Sequence, residues 1–152
     1  IHTCNVKYVY IDNGAINNLI NHIEDYHHIV VVADQNTYAV AGEEVEELLS
    51  HKSFTSLIYE TNDEFLVPDE NALEALEALC EECRADLIIG IGSGVINDIC
   101  KYVSFKLHLP YYIIATAPSM DGYASDGAAL ILNDMKITLS SHVPEVIIGD
   151  VN

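Results

Sequence analysis

Residues 86–125, DLIIGIGSGVINDICKYVSFKLHLPYYIIATAPSMDGYAS, carry the reading of the fold. Leu87-Ile88-Ile89 is an apolar run of strand length, and Gly90-Ile91-Gly92-Ser93-Gly94 is a glycine turn. From Val95 to Leu107, Ile96, Ile99, Cys100, Val103 and Leu107 recur at helical spacing. Pro110 opens a second apolar run, Tyr111 to Ala115, and a loop of small polar residues follows. Strand, turn, helix, strand predicts two parallel strands joined by a helical crossover. The glycine turn, with Asp98 just beyond it, and the loop Thr116-Ala117-Pro118-Ser119-Met120-Asp121-Gly122 both lie where the chain leaves a strand's carboxyl end. Ligands of open α/β sheets bind at such ends.

The same alternation extends in both directions. Val6 to Ile11 predicts a strand ended by Asn13-Gly14, and Ala15 to Tyr26 a helix. Ile29 to Ala33 is β-branched and suits a strand buried on both faces. A helix capped by Asn36 or Thr37 is expected next, then a strand over Phe54 to Tyr59 and an acidic loop over Thr61 to Glu70. Asn71 is the expected cap of a helix with Leu73, Leu76, Leu79, Cys80 and Cys83 inward. Ala128 to Leu132 and Lys136 to Leu139 read as a hairpin turning at Asn133-Asp134, and Val146 to Ile148 as a last strand. The expected fold is α/β: a Rossmann-like, mainly parallel sheet with helices on both faces, plus a β-hairpin near the C-terminus.

Composition narrows the partners. The 152 residues suit one domain, and 50% hydrophobic against 20% charged residues describes a globular chain. A net charge of −18 argues against nucleic acid and anionic membranes, both of which are met with Lys and Arg. No apolar run approaches the roughly 18 residues of a membrane span. No signal pattern opens the chain, so a cytoplasmic protein is expected. Eight of the 24 acidic residues, Glu43, Glu44, Glu46, Glu47, Glu74, Glu77, Glu81 and Glu82, read as solvated helix faces. A phosphate-bearing ligand would have to be held by backbone N–H groups and a helix dipole.

Three motifs bear chemistry. The glycine turn fits neither G-x-G-x-x-G, since residue 95 is Val, nor a P-loop, nor a nucleophile elbow. It is G-x-G-S-G-x-x-x-D, in which glycine can supply positive φ and close approach to a phosphate. Asp98 could hold loop N–H groups or contact a ligand, and the whole could equally be a tight βα turn. Asp34, at a strand end, suits the hydroxyls of a ribose or the cap of a helix. The second loop offers the hydroxyls of Thr116, Ser119 and Ser125 around Asp121 and could orient a polyol, or be a plain polar loop. Cys80-Glu81-Glu82-Cys83 lacks a second ligand pair and lies on an apolar helix face, so core packing is expected. The seven histidines form no i,i+4 pair and read as surface or packing residues.

GIGSGVINDICKY, ATAPSMDGYASDGAALI and EVIIGDVN together resemble the cofactor-binding half of sn-glycerol-1-phosphate dehydrogenases. Those enzymes are similar to glycerol dehydrogenases, iron-containing alcohol dehydrogenases and dehydroquinate synthases. VVADQNTYAVAG resembles that family's second strand and following helix. The resemblance implies reduction of dihydroxyacetone phosphate, a phosphorylated triose, by NADH or NADPH with a divalent metal: zinc, possibly nickel or iron. It places Gly92 and Gly94, Val95, Ile96, Asn97 and Asp98 at the dinucleotide pyrophosphate, and Thr116, Ala117, Pro118 and Ser119 along the cofactor. It puts Asp34 near the adenosine ribose, Asp121 at the substrate and Ser125 again at the cofactor. Ser93 departs from a run of three glycines, tolerable if its φ is negative.

It also implies that residues 1–152 are a dinucleotide-binding domain and that the metal ligands, one Asp and two His, belong to a helical domain beyond Asn152. No catalytic residue or metal ligand is therefore expected in this stretch. Alone it should bind dinucleotide without turnover, and the enzyme is expected to be a homo-oligomer. An acid at Asp34 would disfavour NADP if it faces the ribose. Glycerol dehydrogenase or another metal-dependent alcohol dehydrogenase is the neighbouring reading, and a non-catalytic nucleotide-binding or dimerisation module the distant one.

Overall fold

The computed structural model describes residues 6–61, 66–116 and 127–150. Six strands form one sheet: β1 (Tyr8–Asp12), β2 (His28–Asp34), β3 (Ser53–Tyr59), β4 (Leu87–Gly92), β5 (Tyr111–Ala115) and, after the hairpin, β8 (Val146–Asp150). Their order is β1-β8-β5-β4-β2-β3, and every pairing is parallel. The hairpin, β6 (Gly127–Leu132) and β7 (Met135–Ser140), is a separate antiparallel pair. The expected Rossmann-like fold with its hairpin is therefore the observed one.

The β-branched run predicts double-sided burial, and the sheet provides it. Ile29, Val31 and Ala33 join Val45, Leu49, Leu87, Ile89, Ile91, Tyr112 and Ile114 in one core cluster. The alternate residues Val30 and Val32 join Leu76, Cys80, Ile88, Ile96, Ile99, Cys100, Val103 and Ile113 in the other. The first core is covered by the 3-10 helix Ala15–His22 and by the helical run α1 (Gln35–Thr37), a π segment Tyr38–Gly42 and α2 (Glu43–Leu48). The second is covered by α3 (Glu70–Cys83) and α4 (Gly94–Leu107). Period-two alternation in the strands thus feeds two helical layers.

Local ends follow residue chemistry, with corrections to the expected caps. Asp34, rather than Asn36 or Thr37, caps α1, and Asp69, rather than Asn71, caps α3. Aspartate accepts from the first-turn N–H groups as well as asparagine does, so the nearer Asp wins by position. The 15–26 segment is a 3-10 helix ending at His22, not a regular α-helix to Tyr26. Arg84 (φ 55°) and His108 (φ 59°) stop α3 and α4 in the left-handed conformation. Asn133 (φ 52°) and Asp134 (φ 63°) give β6 and β7 a two-residue turn with both φ positive, the type I′ geometry that matches strand twist.

Topology places a crevice. From β2 the chain crosses to β3 on one side, whereas from β4 it crosses to β5 on the other. Right-handed crossovers in opposite directions send their helices to opposite faces. The exits of the neighbouring strands β2 and β4, at Asp34 and at Gly92-Ser93-Gly94, therefore diverge, which opens a ligand crevice at their carboxyl ends.

Candidate functional site

The glycine turn divides into two jobs. A Cβ on Gly92 would lie 2.7 Å from Ile96 Cβ, and one on Gly90 would lie 3.1 Å from Cys100 Sγ and 3.2 Å from Tyr111 Cε1. These glycines let α4 press against β4. A Cβ on Gly94 would meet nothing within 4 Å, so the fold leaves open space there. The expected positive φ is not found in this turn: Gly14 alone has it among the described glycines. Close packing, not left-handed backbone, is why glycine stands at 90 and 92. Ser93 sits at φ −121°, which serine tolerates.

α4 starts directly beside that space. Ser93 makes no side-chain capping bond, its carbonyl accepts from Asn97 N at 2.9 Å, and the first turn holds no acidic residue. The initial N–H groups of a helix lack intrahelical partners and carry the positive end of the dipole, a setting for an anion. Ser93 and Gly94 are exposed and Val95 half-buried. Ile96 and Asn97 turn inward: Ile96 is buried against Gly90 and Gly92, and Asn97 Oδ1 accepts from Tyr111 OH at 2.7 Å. Either could meet a ligand only through its backbone.

Asp98 lies at the wall of a second space. Its carboxylate accepts from the Ala129 N–H, and burial pushes its pKa above the ordinary range, opposed by that bond and by Lys101. With Pro68, Ala129, Leu130, Ile131, Lys136, Ile137 and Thr138 it lines a groove of about 370 Å³ between α4 and the hairpin. Lys101, 1% exposed on α4, was missed as a candidate, although a lysine one turn beyond Asp98 among Ile99, Cys100 and Val103 is a legible anomaly.

Thr116 follows β5, and its N–H donates to Gly92 O at 3.1 Å, so the two loops leave neighbouring strand ends. Ala117, Pro118, Ser119, Asp121 and Ser125 lie outside the described residues. Asp34 Oδ1 accepts from Asn36 N and Thr37 N, both at 2.8 Å, while Thr37 Oγ1 accepts from Asp34 N at 3.0 Å. This reciprocal capping box sets the first turn of the helical run and holds the Asp34 carboxylate at the crevice.

The cysteines pack. Cys80 and Cys100 are buried in the core, with burial pushing the Cys80 thiol up to about 12 and Cys100 well above its ordinary value. Such thiols are poor nucleophiles and poor ligands at neutral pH. Among the described residues no group of three His, Cys, Asp or Glu side chains is placed to hold a metal ion. His28 bridges Ser53 and Thr55 by side-chain hydrogen bonds of 2.8 Å, and His142 Nε2 lies 2.6 Å from Ser104 Oγ, so both serve packing.

Comparison with known proteins decides the family. A profile described as iron-containing alcohol dehydrogenase matches residues 10–152. The chain belongs to the iron-containing alcohol dehydrogenase family. It is 33% identical over 144 residues to a glycerol-1-phosphate dehydrogenase [NAD(P)+] of Halalkalibacterium halodurans, covering 89% of this chain and 36% of that protein. It is 31% identical to the protein of the same name from Bacillus subtilis, covering 97% and 38%. The chain thus spans little more than a third of the length of these relatives. Among solved structures, glycerol dehydrogenase from Schizosaccharomyces pombe superposes with TM-score 0.76 at 21% identity, covering 95% of this chain and 37% of that one. The iron-containing alcohol dehydrogenase from Thermococcus thioreducens gives 0.82 at 14%, covering 99% and 46%. At those identities the likeness is one of fold. The expected resemblance is borne out at the level of family and fold, and the relatives are named as dehydrogenases.

Proposed function

We propose that this stretch is the dinucleotide-binding domain of an NAD(P)-dependent dehydrogenase that reduces dihydroxyacetone phosphate to sn-glycerol 1-phosphate. The observation that carries the reading is the open α4 N-terminus at Gly94, set at the diverging exits of β2 and β4. In a chain with only 6 Lys and Arg, backbone N–H groups at that terminus are the natural partner for a pyrophosphate. The substrate assignment rests on relatives that bear that enzyme's name and on the loop motif around Asp121.

Each residue then has a task. The N–H groups of Gly94, Val95 and Ile96 face the pyrophosphate, and the Thr116 hydroxyl with Ala117, Pro118, Ser119 and Ser125 lies along the cofactor. Asp34 accepts from the adenosine ribose through the carboxylate it holds at the crevice, favouring NAD over NADP. Asp121 orients the triose hydroxyl so that its carbonyl faces the nicotinamide, which supplies the hydride. The described residues offer no ligand set for the metal, zinc, nickel or iron, of such enzymes. Its ligands, like the substrate phosphate site, belong in this reading to a helical part of the protein beyond these residues. The enzyme is read as a cytoplasmic homo-oligomer; among the described residues no helix is long and apolar enough to cross a membrane.

Titration of NADH fluorescence with residues 1–152 tests the reading. Saturable binding that is lost in Gly94→Val, with the fold kept by circular dichroism, is the expected outcome. Equal failure of both proteins to bind would sink it. With the intact protein, faster reduction of the phosphorylated than of the free triose is expected; the reverse would favour a glycerol dehydrogenase.

A further inference from the structure

The hairpin is not a continuation of the sheet. It is bonded to itself as a two-stranded unit, and such units are marginal without further packing. Its two-residue turn makes Leu132 and Met135 the closing hydrogen-bonded pair. Antiparallel alternation then turns the N–H groups of Ala129 and Ile131 away from β7. Ala129, Ile131 and the turn residue Asn133 each find an acceptor outside the hairpin. Ala129 N–H donates to the Asp98 carboxylate on α4, Ile131 N donates to Pro68 O at 3.0 Å, and Asn133 N donates to Glu70 Oε2 at 2.8 Å on α3. Of the inward side chains only Ala128 and Leu130 are fully buried, while Met135 is 64% exposed. Few buried side chains beside an edge held by these acceptors and by one isolated parallel bridge, Asp69 to Ile131, describe a locally separable unit.

We infer that Asp98 and Glu70 are positioning residues that clamp the β6–β7 hairpin onto α3 and α4, and that the hairpin releases as a unit from the six-stranded sheet to open the groove beside Asp98. The carboxylates act through the hairpin, whose Ala129, Leu130, Ile131, Lys136, Ile137 and Thr138 form one wall of that groove. The inference does not depend on which ligand the α4 N-terminus takes.

Residue-resolved hydrogen exchange on the intact protein tests it with two double variants. Asp98→Ala with Glu70→Ala is expected to speed exchange across residues 128–133 by about tenfold or more, leaving β4 and β5 amides within about twofold. Asp98→Asn with Glu70→Gln keeps an acceptor oxygen at each site and is expected to stay within about threefold of the parent throughout. The inference is overturned if 128–133 are unchanged in the alanine pair, if only Ala129 and Asn133 accelerate, or if β4 and β5 accelerate equally. Should the alanine pair fail to fold, Glu70→Ala alone serves. It must then speed Leu130 and Leu132 together with Asn133; acceleration of Asn133 alone overturns the unit release.

Discussion

Gly92 and Gly94 stand two residues apart and carry different burdens. A methyl at 92 would come within 2.8 Å of two Ile96 atoms and force α4 off β4. Gly92→Ala is therefore expected to cost about 1–3 kcal/mol, seen as a lower urea midpoint at unchanged slope. Gly94→Ala meets open space and should stay within about 0.5 kcal/mol of the parent. Equal destabilisation by both would contradict the division. The sequence shows three glycines but not which one packs and which one opens, because that depends on the facing Ile96, Cys100 and Tyr111. Asp34 was equally undecided between cap and ribose acid, and the capping box shows its position without excluding either use.

Elements were more legible than their ends. The β-branched run of β2 and the i, i+3, i+4 pattern of α4 are strong because burial on defined faces imposes them. The caps were displaced since several adjacent residues could serve, and geometry alone picks Asp34 and Asp69. The glutamate faces are mostly solvated, but Glu46 instead accepts from Tyr38 OH and Ser56 Oγ, both at 2.5 Å, tying α2 to β3. The link between α4 and the β7–β8 connection was invisible, being a long-range contact of His142 with Ser104 and Phe105. Burial holds the His142 pKa below its ordinary value of 6.5, which outweighs Glu145. The unfolded chain then binds the extra proton first, so this residue's contribution falls as pH drops below about 6.5 towards its folded pKa. His142→Gln is expected to show a shallower loss of Tm between pH 7.5 and 5.5 than the parent; parallel curves would contradict it.

At the scale of the molecule, charge and topology dominate. With −18 on 152 residues and, among the described residues, only the ion pairs Lys7–Glu145, His51–Glu24 and Lys106–Glu77, self-repulsion opposes the compact state. Raising NaCl from 0.05 to 0.5 M shortens the Debye length severalfold and should raise Tm by a few degrees. A fall in Tm would show that the ion pairs matter more than the repulsion.

The pairing of β1 with β8 has a further consequence. Tyr8 sits beside Val146 and Asp12 beside Asp150, so the first described strand closes against the last. Contacts across nearly the whole described length make folding slow, because their loop entropy is lost before they form. At synthesis rates of about 5–20 residues per second, β1 emerges on the order of ten seconds before β8, the strand it pairs with among the described residues. During that interval Tyr8, Val9 and Ile11, exposed among the described residues, wait without the strand they pair with, an apolar edge open to other chains.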